Sequence, residues 1–276
     1  MTDTTGQTSS SLITEAIARV LAASSLAALA TLIEATAGTV GAKLLVEESG
    51  ARVGGLGDSM LDEAVALYAQ TFLDSRAEAA TFRVEEFKRG LKEWGGARVL
   101  FERIEPEPRL VICGAGHVGA SLAQMARFLD YRTTLIDDRA DFVTRERFPD
   151  EGIELIAAES WTDAVRASIG LGRGVSVAVV TRGHNEDEEC MRAVLNARPD
   201  YVGLIGSRRR TNIVLERLRE AGADEKQLGE VRAPIGLDIA AVSPQEVALA
   251  ILAEIIAERR GGTGLPLSAW RRKDRD

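Results

Sequence analysis

The stretch that decides the fold reads Leu110-Val111-Ile112-Cys113-Gly114-Ala115-Gly116-His117-Val118-Gly119. An apolar run enters a glycine-rich turn, and the turn opens an amphipathic stretch from Val118 to Leu129. This is the strand, tight turn and helix start that grips a pyrophosphate. Gly114 is read as the sharp turn. Gly116 is read as the point where backbone meets phosphate with no Cβ between them, and Gly119 as close packing of helix on sheet. The anion is expected on the free N–H groups at the helix N-terminus. The alternative is a strand-turn-helix that binds nothing, and residues further along the chain bear on the choice. The next apolar run, Thr133-Thr134-Leu135-Ile136, ends in Asp137-Asp138. An acid about 20 positions on, closing the second strand, is where a ribose hydroxyl is expected. Arg139 reads either as a contact to a 2′-phosphate or as a surface arginine, which leaves NAD and NADP undecided.

The 276 residues suffice for one large domain or two small ones, and 45% hydrophobic content allows a real core. A formal net charge of −8 argues against a general nucleic-acid or anionic-membrane binder. Cys113 and Cys190 are too few for a disulfide framework or a cysteine zinc site. Cys113 reads as a small buried hydrophobe. The first eleven residues are polar and are expected to be disordered, with no charged region and apolar core of a signal peptide. Apolar runs are short or broken by charge, so no membrane span is expected. A reducing, cytoplasmic location follows as the default.

Glu105-Pro106-Glu107-Pro108 reads as a stiff, solvated linker. Before it, residues 12–104 suggest a smaller α+β domain. Leu12 to Ala35 reads as one or two alanine-rich helices. Lys43 to Glu47 and Ala51 to Val53 form a hairpin turning at Ser49-Gly50. Gly54-Gly55-Leu56-Gly57 leads into a helix from about Met60 to Leu73, and Ala79 to Val84 and Arg98 to Ile104 are further strands. After the linker, residues 109–262 alternate strand with helix. The strands are Leu110–Cys113, Thr133–Ile136, Ile153–Ala157, Val175–Val180 and Tyr201–Ile205. The alternation predicts an α/β fold with a doubly wound parallel sheet. Ser243-Pro244-Gln245-Glu246 is a capping box opening the last helix, which Gly261-Gly262 stops. The tail, Arg271 to Asp276, is charged and reads as loose.

Ligands of an open α/β sheet gather at the carboxyl ends of its strands. There the fourth strand gives Thr181-Arg182-Gly183-His184, followed by Asp187. His184 and Asp187 are candidates for a proton donor and its orienting carboxylate. Against this, Asp187 serves equally to complement the next helix dipole, and His184 to bond a loop. These two residues are too few ligands for a metal site, and none is predicted. The fifth strand leads to Gly206-Ser207-Arg208-Arg209-Arg210. Ser207 reads as an N-cap, and arginines in a first turn oppose the helix dipole unless an anion lies nearby. The alternative is a solvated or partner-facing basic patch. The loop Ala233-Pro234-Ile235-Gly236-Leu237-Asp238-Ile239 carries one carboxylate with a buried look and no legible chemistry.

Taken in order, the glycine loop, Ile136-Asp137-Asp138-Arg139, Thr181 to His184 with Asp187, Tyr201 to Arg209, and Ala233 to Ile239 resemble the xanthine dehydrogenase accessory factor family (XdhC/CoxI). Ser243-Pro244 and Ile251 to Ile255 continue the resemblance, which covers roughly residues 109–258. It implies a Rossmann-like carboxyl-terminal domain, a homodimer, and binding of the molybdenum cofactor. It further implies assistance with that cofactor's maturation and its delivery to a molybdenum hydroxylase such as xanthine or carbon monoxide dehydrogenase. The cofactor-binding residues would be Gly114, Ala115, Gly116, His117, Val118, Gly119, Asp137, Asp138, Arg139, Thr181, Arg182, Gly183, His184, Gly206, Ser207, Arg208 and Arg209. The glycine-flanked cysteines usual in the family's amino-terminal part are absent: Gly55-Leu56-Gly57-Asp58-Ser59 and Gly90-Leu91-Lys92-Glu93-Trp94-Gly95-Gly96 stand there. A thiolate would be the natural soft ligand for molybdenum. Two other readings use the same loop. One is an NAD(P)-dependent oxidoreductase with His184 as acid/base. The other is a nucleotide-sensing module that binds without turnover. A cofactor-binding chaperone is preferred to a turnover enzyme.

Overall fold

A computed structural model describes residues 4–170 and 172–268. It divides between Pro106 and Glu107 into two compact units. The first holds α1 (Thr4–Ala22), β1 (Ala27–Glu34), β2 (Lys43–Glu47), β3 (Arg52–Gly55), α2 (Ser59–Asp74), β4 (Ala79–Arg83), a short turn α3 (Val84–Phe87) and β5 (Arg98–Ile104). Its strands form an antiparallel sheet in the order β3-β2-β1-β5-β4.

Residues 27–34, read as helix from their alanine content, form the central strand β1. The reason is coverage. Ala27 and Leu29 face Ile13, Ala16 and Val20 of α1, while Ala28, Ala30 and Leu32 face Leu61, Val65 and Phe72 of α2. A strand buried on both faces loses its polar alternation, so periodicity no longer separates it from a buried helix. The amino-terminal segment, expected to be disordered, is helical from Thr4. The stripe Ile13, Ala16, Ile17 and Val20 anchors that helix on the sheet. Met1 to Asp3 and the tail Arg271 to Asp276 lie outside the described residues.

The second unit holds β6 (Arg109–Cys113), α4 (His117–Phe128), β7 (Arg132–Asp137), β8 (Ile153–Ala157), α5 (Trp161–Ile169), β9 (Val175–Val179), α6 (His184–Ala197), β10 (Tyr201–Leu204), α7 (Arg208–Glu220), α8 (Glu225–Glu230) and α9 (Pro244–Arg260). All five strands are parallel, in the order β10-β9-β6-β7-β8. This is a doubly wound Rossmann-like sheet. Val111, Cys113, Val177 and Val179 pack toward α5, α6 and α7, and Leu110, Ile112, Leu135 and Ala178 toward α4 and α9. Between β7 and β8 a single 3-10 turn, Ala140–Phe142, replaces the crossover helix. The outer edge of β10 is not bare. Arg232 N–H donates to the Val202 carbonyl, while Leu204 N–H donates to Arg232 and Ile235 N–H to Leu204. Asp238, read as buried, is exposed on the loop that leads to α9. The capping box at Ser243 and Glu246 is formed, and Gly261 ends α9 in the left-handed conformation.

Phe101 is the largest fully buried side chain of the first unit, with ring centroids 5.5–6.0 Å from those of Tyr68, Phe72, Phe82 and Phe87. Phe101→Ala is expected to lower stability by about 3–5 kcal/mol through lost burial and the cavity left behind. Urea unfolding of the two proteins measures it, and a loss under about 1 kcal/mol would mean the cluster is not a packed core.

Candidate nucleotide site at the sheet crest

β6 and β9 are neighbours whose connections leave in opposite directions, so a crevice opens at their carboxyl ends. Gly114 turns there with φ of 115°, and a Cβ on it would lie 2.6 Å from the Val180 carbonyl oxygen. Only glycine takes this backbone and this approach. A methyl on Gly119 would overlap the Gly114 carbonyl, so that glycine serves the loop itself. Gly116 differs: its φ is −66° and nothing lies within 4 Å of the Cβ it lacks. Its open side is the approach a phosphate needs.

Four helices begin at the carboxyl edge of the sheet; α5, behind the edge strand β8, is capped by Ser160, and the N-termini of the other three are not equivalent. α4 starts behind Gly116 with no side-chain cap and no acid in its first turn, and its first intrahelical bond is Ala120 N–H to Gly116 O. The N–H groups of His117, Val118 and Gly119 therefore have no partner within the helix. α6 carries Glu186 and Asp187 in its first turn. α7 is capped by Ser207, whose Oγ accepts from Arg210 N–H at 3.2 Å. Dipole and free donors together make the α4 end the strongest anion acceptor of the three.

The acid closing β7 is fixed beneath this loop. Asp137 is 1% exposed. Its Oδ2 accepts from Ala115 N–H at 2.7 Å and Arg139 Nη2 at 3.0 Å, and its Oδ1 from Arg139 N–H at 3.0 Å and Nε at 2.8 Å. Burial alone would raise its pKa, but the Arg139 guanidinium and the two backbone donors hold the carboxyl below its ordinary value. Arg139 also lies 3.5 Å over the Phe142 ring, and Arg147 donates to the Ala115 carbonyl from the ring's neighbourhood. Asp138 is gripped by Arg182, with Nη1 to Oδ1 at 2.7 Å and Nη2 to Oδ2 at 2.8 Å. Arg182 also reaches Glu186 at 3.2 Å.

His117 and His184 are both exposed, each the first residue of its helix. No hydrogen bond joins His184 to Asp187 among the described residues. Asp187 is fully buried, accepting from Thr181 Oγ1 at 2.6 Å and from Arg210 Nε and Nη2 at 3.0 and 2.5 Å. Burial pushes its pKa up, and the Thr181 and Arg210 bonds counter that. Arg210 thus has an internal counterion, while Arg208 and Arg209 are exposed and form no ion pair among the described residues. Arg147 and Phe142 are the crest residues that sequence reasoning did not single out, whereas Arg210, read with Arg208 and Arg209 as a first-turn arginine awaiting an anion, finds that anion in Asp187. Arg210 carried a signal in its dipole-opposing place; Arg147 and Phe142 lie in a loop whose path only the fold shows.

The donor set fits a phosphate-bearing ligand. It does not fit thiolate ligation, because Cys113 and Cys190 are both fully buried and burial pushes the Cys190 thiol up. Among the described residues no group of three or more His, Cys, Asp or Glu could hold a metal ion. No helix among them is long and apolar enough to cross a membrane.

Residues 110–255 match the model of the XdhC Rossmann domain, and residues 20–85 that of the XdhC and CoxI family. An uncharacterized protein, YqeB, of Escherichia coli K12 is 31% identical over 81% of this chain and 41% of its own length. A Bacillus subtilis protein named as a probable xanthine dehydrogenase subunit is 28% identical over 59% of this chain and 46% of its own. The molybdenum cofactor insertion chaperone PaoD of E. coli K12 is 29% identical over 34% and 29%. The chain thus spans less than half the length of these relatives. A solved structure of a xanthine dehydrogenase from Bacillus halodurans shares the fold, with a TM-score of 0.50 at 18% identity over 93% of this chain and 98% of that one.

Asp137 gives a pH test. Its folded pKa is depressed, so its contribution is present above the unfolded value of about 3.9 and is lost as pH falls through the folded value. Asp137→Asn is expected to lower stability by about 1–3 kcal/mol at neutral pH. The gap to wild type should close on acidification. Denaturant unfolding at a series of pH values measures this, and a gap that does not change with pH would remove the ion pair as its cause.

Proposed function

The chain belongs to the XdhC and CoxI family, and from that membership we propose that it is a cytoplasmic accessory protein for a molybdenum hydroxylase of the xanthine dehydrogenase kind. It holds molybdenum cofactor, or a nucleotide, by a phosphate group and assists the cofactor's maturation or insertion. The relatives named for cofactor insertion and for xanthine dehydrogenase support this reading. The observation that carries it is the uncapped N-terminus of α4 behind Gly116, the one crest helix here with neither cap nor acid in its first turn.

The molybdenum centre supplies redox chemistry to the hydroxylase that receives it. This chain's residues bind and orient. Gly114 and Gly119 shape the loop, the N–H groups of His117 to Gly119 receive phosphate, and Arg208 and Arg209 stand at the end of β10, with β9 between it and β6, as further cationic contacts. The buried cysteines take no part. Working as a homodimer belongs to the same proposal, and light scattering checks it. A second reading, an NAD(P)-dependent oxidoreductase, draws on His184, exposed at the first position of α6. Turnover of NADH or NADPH by the purified chain would select it.

The test is mass spectrometry of the small molecule that co-purifies from a host making molybdenum cofactor, with the ligand then titrated by calorimetry. Gly116→Val is expected to stay folded, because nothing surrounds that position, and to weaken binding at least tenfold by filling the phosphate's place. Equal affinity in wild type and Gly116→Val would remove the loop from the site. The double variant Cys113→Ala/Cys190→Ala should keep its ligand while losing on the order of 1 kcal/mol of stability per site. Loss of ligand from that variant in its folded state would restore a thiol role.

Arg208→Ala with Arg209→Ala is expected to weaken a phosphate-bearing ligand by about 1.5–3 kcal/mol per lost charge-assisted bond, with no loss of stability in the free protein. Unchanged ligand affinity together with a lost hydroxylase complex would make these arginines a docking patch instead.

A further inference from the structure

We infer that the crevice beside β7 receives a phosphate monoester on the ribose of the bound ligand, so that the site takes a 2′-phosphorylated adenine dinucleotide in preference to its unphosphorylated counterpart. This rests on the proposal that the glycine loop binds a phosphate-bearing nucleotide.

In a dinucleotide site of this fold, the acid closing the second strand accepts the ribose hydroxyls. Asp137 holds that place, but its capacity is filled. A carboxylate offers about four lone-pair sites, and four donors already occupy this one: Ala115 N–H, and Arg139 through N–H, Nε and Nη2. A ribose diol finds no free acceptor there. Asp138, one residue outward, is already forked by Arg182.

The groups that face outward are cations instead. Arg139 uses Nε and Nη2 on Asp137, and its Nη1 makes no bond among the described residues. Its guanidinium is held flat by the Phe142 ring beneath it, and a third of the side chain is exposed. Arg182 approaches from the end of β9. Asp138 Oδ1 lies 2.7 Å from Arg182 Nη1 and 3.9 Å from Arg139 Nε, so one carboxylate oxygen stands between two guanidiniums that repel each other. A phosphate monoester is the same kind of occupant with more charge and more acceptor oxygens. The Asp138–Arg182 pair is solvent-exposed and contributes little, so exchange of the carboxylate for phosphate is cheap. Asp137, Asp138 and Glu186 offset the charges of Arg139, Arg147 and Arg182, which limits the preference to tens of fold rather than thousands.

Calorimetric titration of the full chain with 2′,5′-ADP, 5′-AMP, NADPH and NADH at low salt tests this. The expected result is at least tenfold tighter binding of 2′,5′-ADP than 5′-AMP, and of NADPH than NADH. In Arg182→Gln, a change at an exposed side chain, both ratios should fall at least threefold. Arg139→Met should abolish the preference if it folds, and Arg182→Gln decides the matter if it does not. Equal affinities for the paired ligands, or a preference for NADH, would overturn this inference and leave the glycine-loop proposal standing. Failure of all four to bind would overturn this inference, while the glycine-loop proposal stands or falls by titration of the co-purified ligand against Gly116→Val.

Discussion

The second unit depends on one buried carboxylate. Asp137 closes β7 and reaches across to the backbone of the loop that closes β6, so the ends of two adjacent strands are tied by a charge that water does not reach. An ionised group in that position persists only with a full set of donors. Arg139 and the two backbone amides supply the set. The result is a glycine loop whose path is fixed before any ligand arrives, and preorganisation of that kind lowers the ordering a ligand must impose. The same bond that steadies the loop withdraws the carboxylate from solution. Structural and recognition roles compete here for the same lone pairs, and the structural role holds them.

Electrostatics at the crest is then a matter of which helix ends are already answered. α7 has its serine cap. α6 has its own acids, one of them drawn inward to Arg210 and Thr181. α4 alone of these three is left with backbone donors and a glycine on its exposed side. The arginine triplet divides in the same way. Arg210 turns back to a buried partner and joins α7 to α6, while Arg208 and Arg209 face solvent. A sequence shows three equal cations in a row. The fold makes one of them a tie and leaves the other two exposed to solvent.

Much of the second unit was legible because its signals are local and redundant. The glycine loop, the β-branched runs of β9 and the Ser243 capping box each name their own structure within a few residues, and the parallel order follows from their alternation. The first unit was less legible for a physical reason. β1 lies under helices on both faces, and its Ala-Ala-Leu-Ala run carries neither polar alternation nor a turn signal. Its strand character comes from β2, the next strand along the chain, and from β5, which is distant in sequence. The candidate site was legible as a set of loops, because strand ends can be counted. Its bonding was not. That Asp187 belongs to Arg210, or that Arg139 doubles back on Asp137, depends on rotamers and loop paths no spacing encodes. Asp238 misled for the opposite reason: stiff apolar neighbours suggested burial, yet the loop holds it at the surface.

The segment around Arg232 that lines the outer side of β10 has a consequence for biosynthesis. It reaches the sheet after every strand it completes, and α9, which covers α4, comes later still. A chain still on the ribosome that has emerged only as far as α8 carries an unpaired parallel edge and an uncovered apolar face on α4 at the same moment. Both are invitations to wrong pairing. The last third of the second unit therefore covers a strand edge and a helix face that every earlier element leaves open.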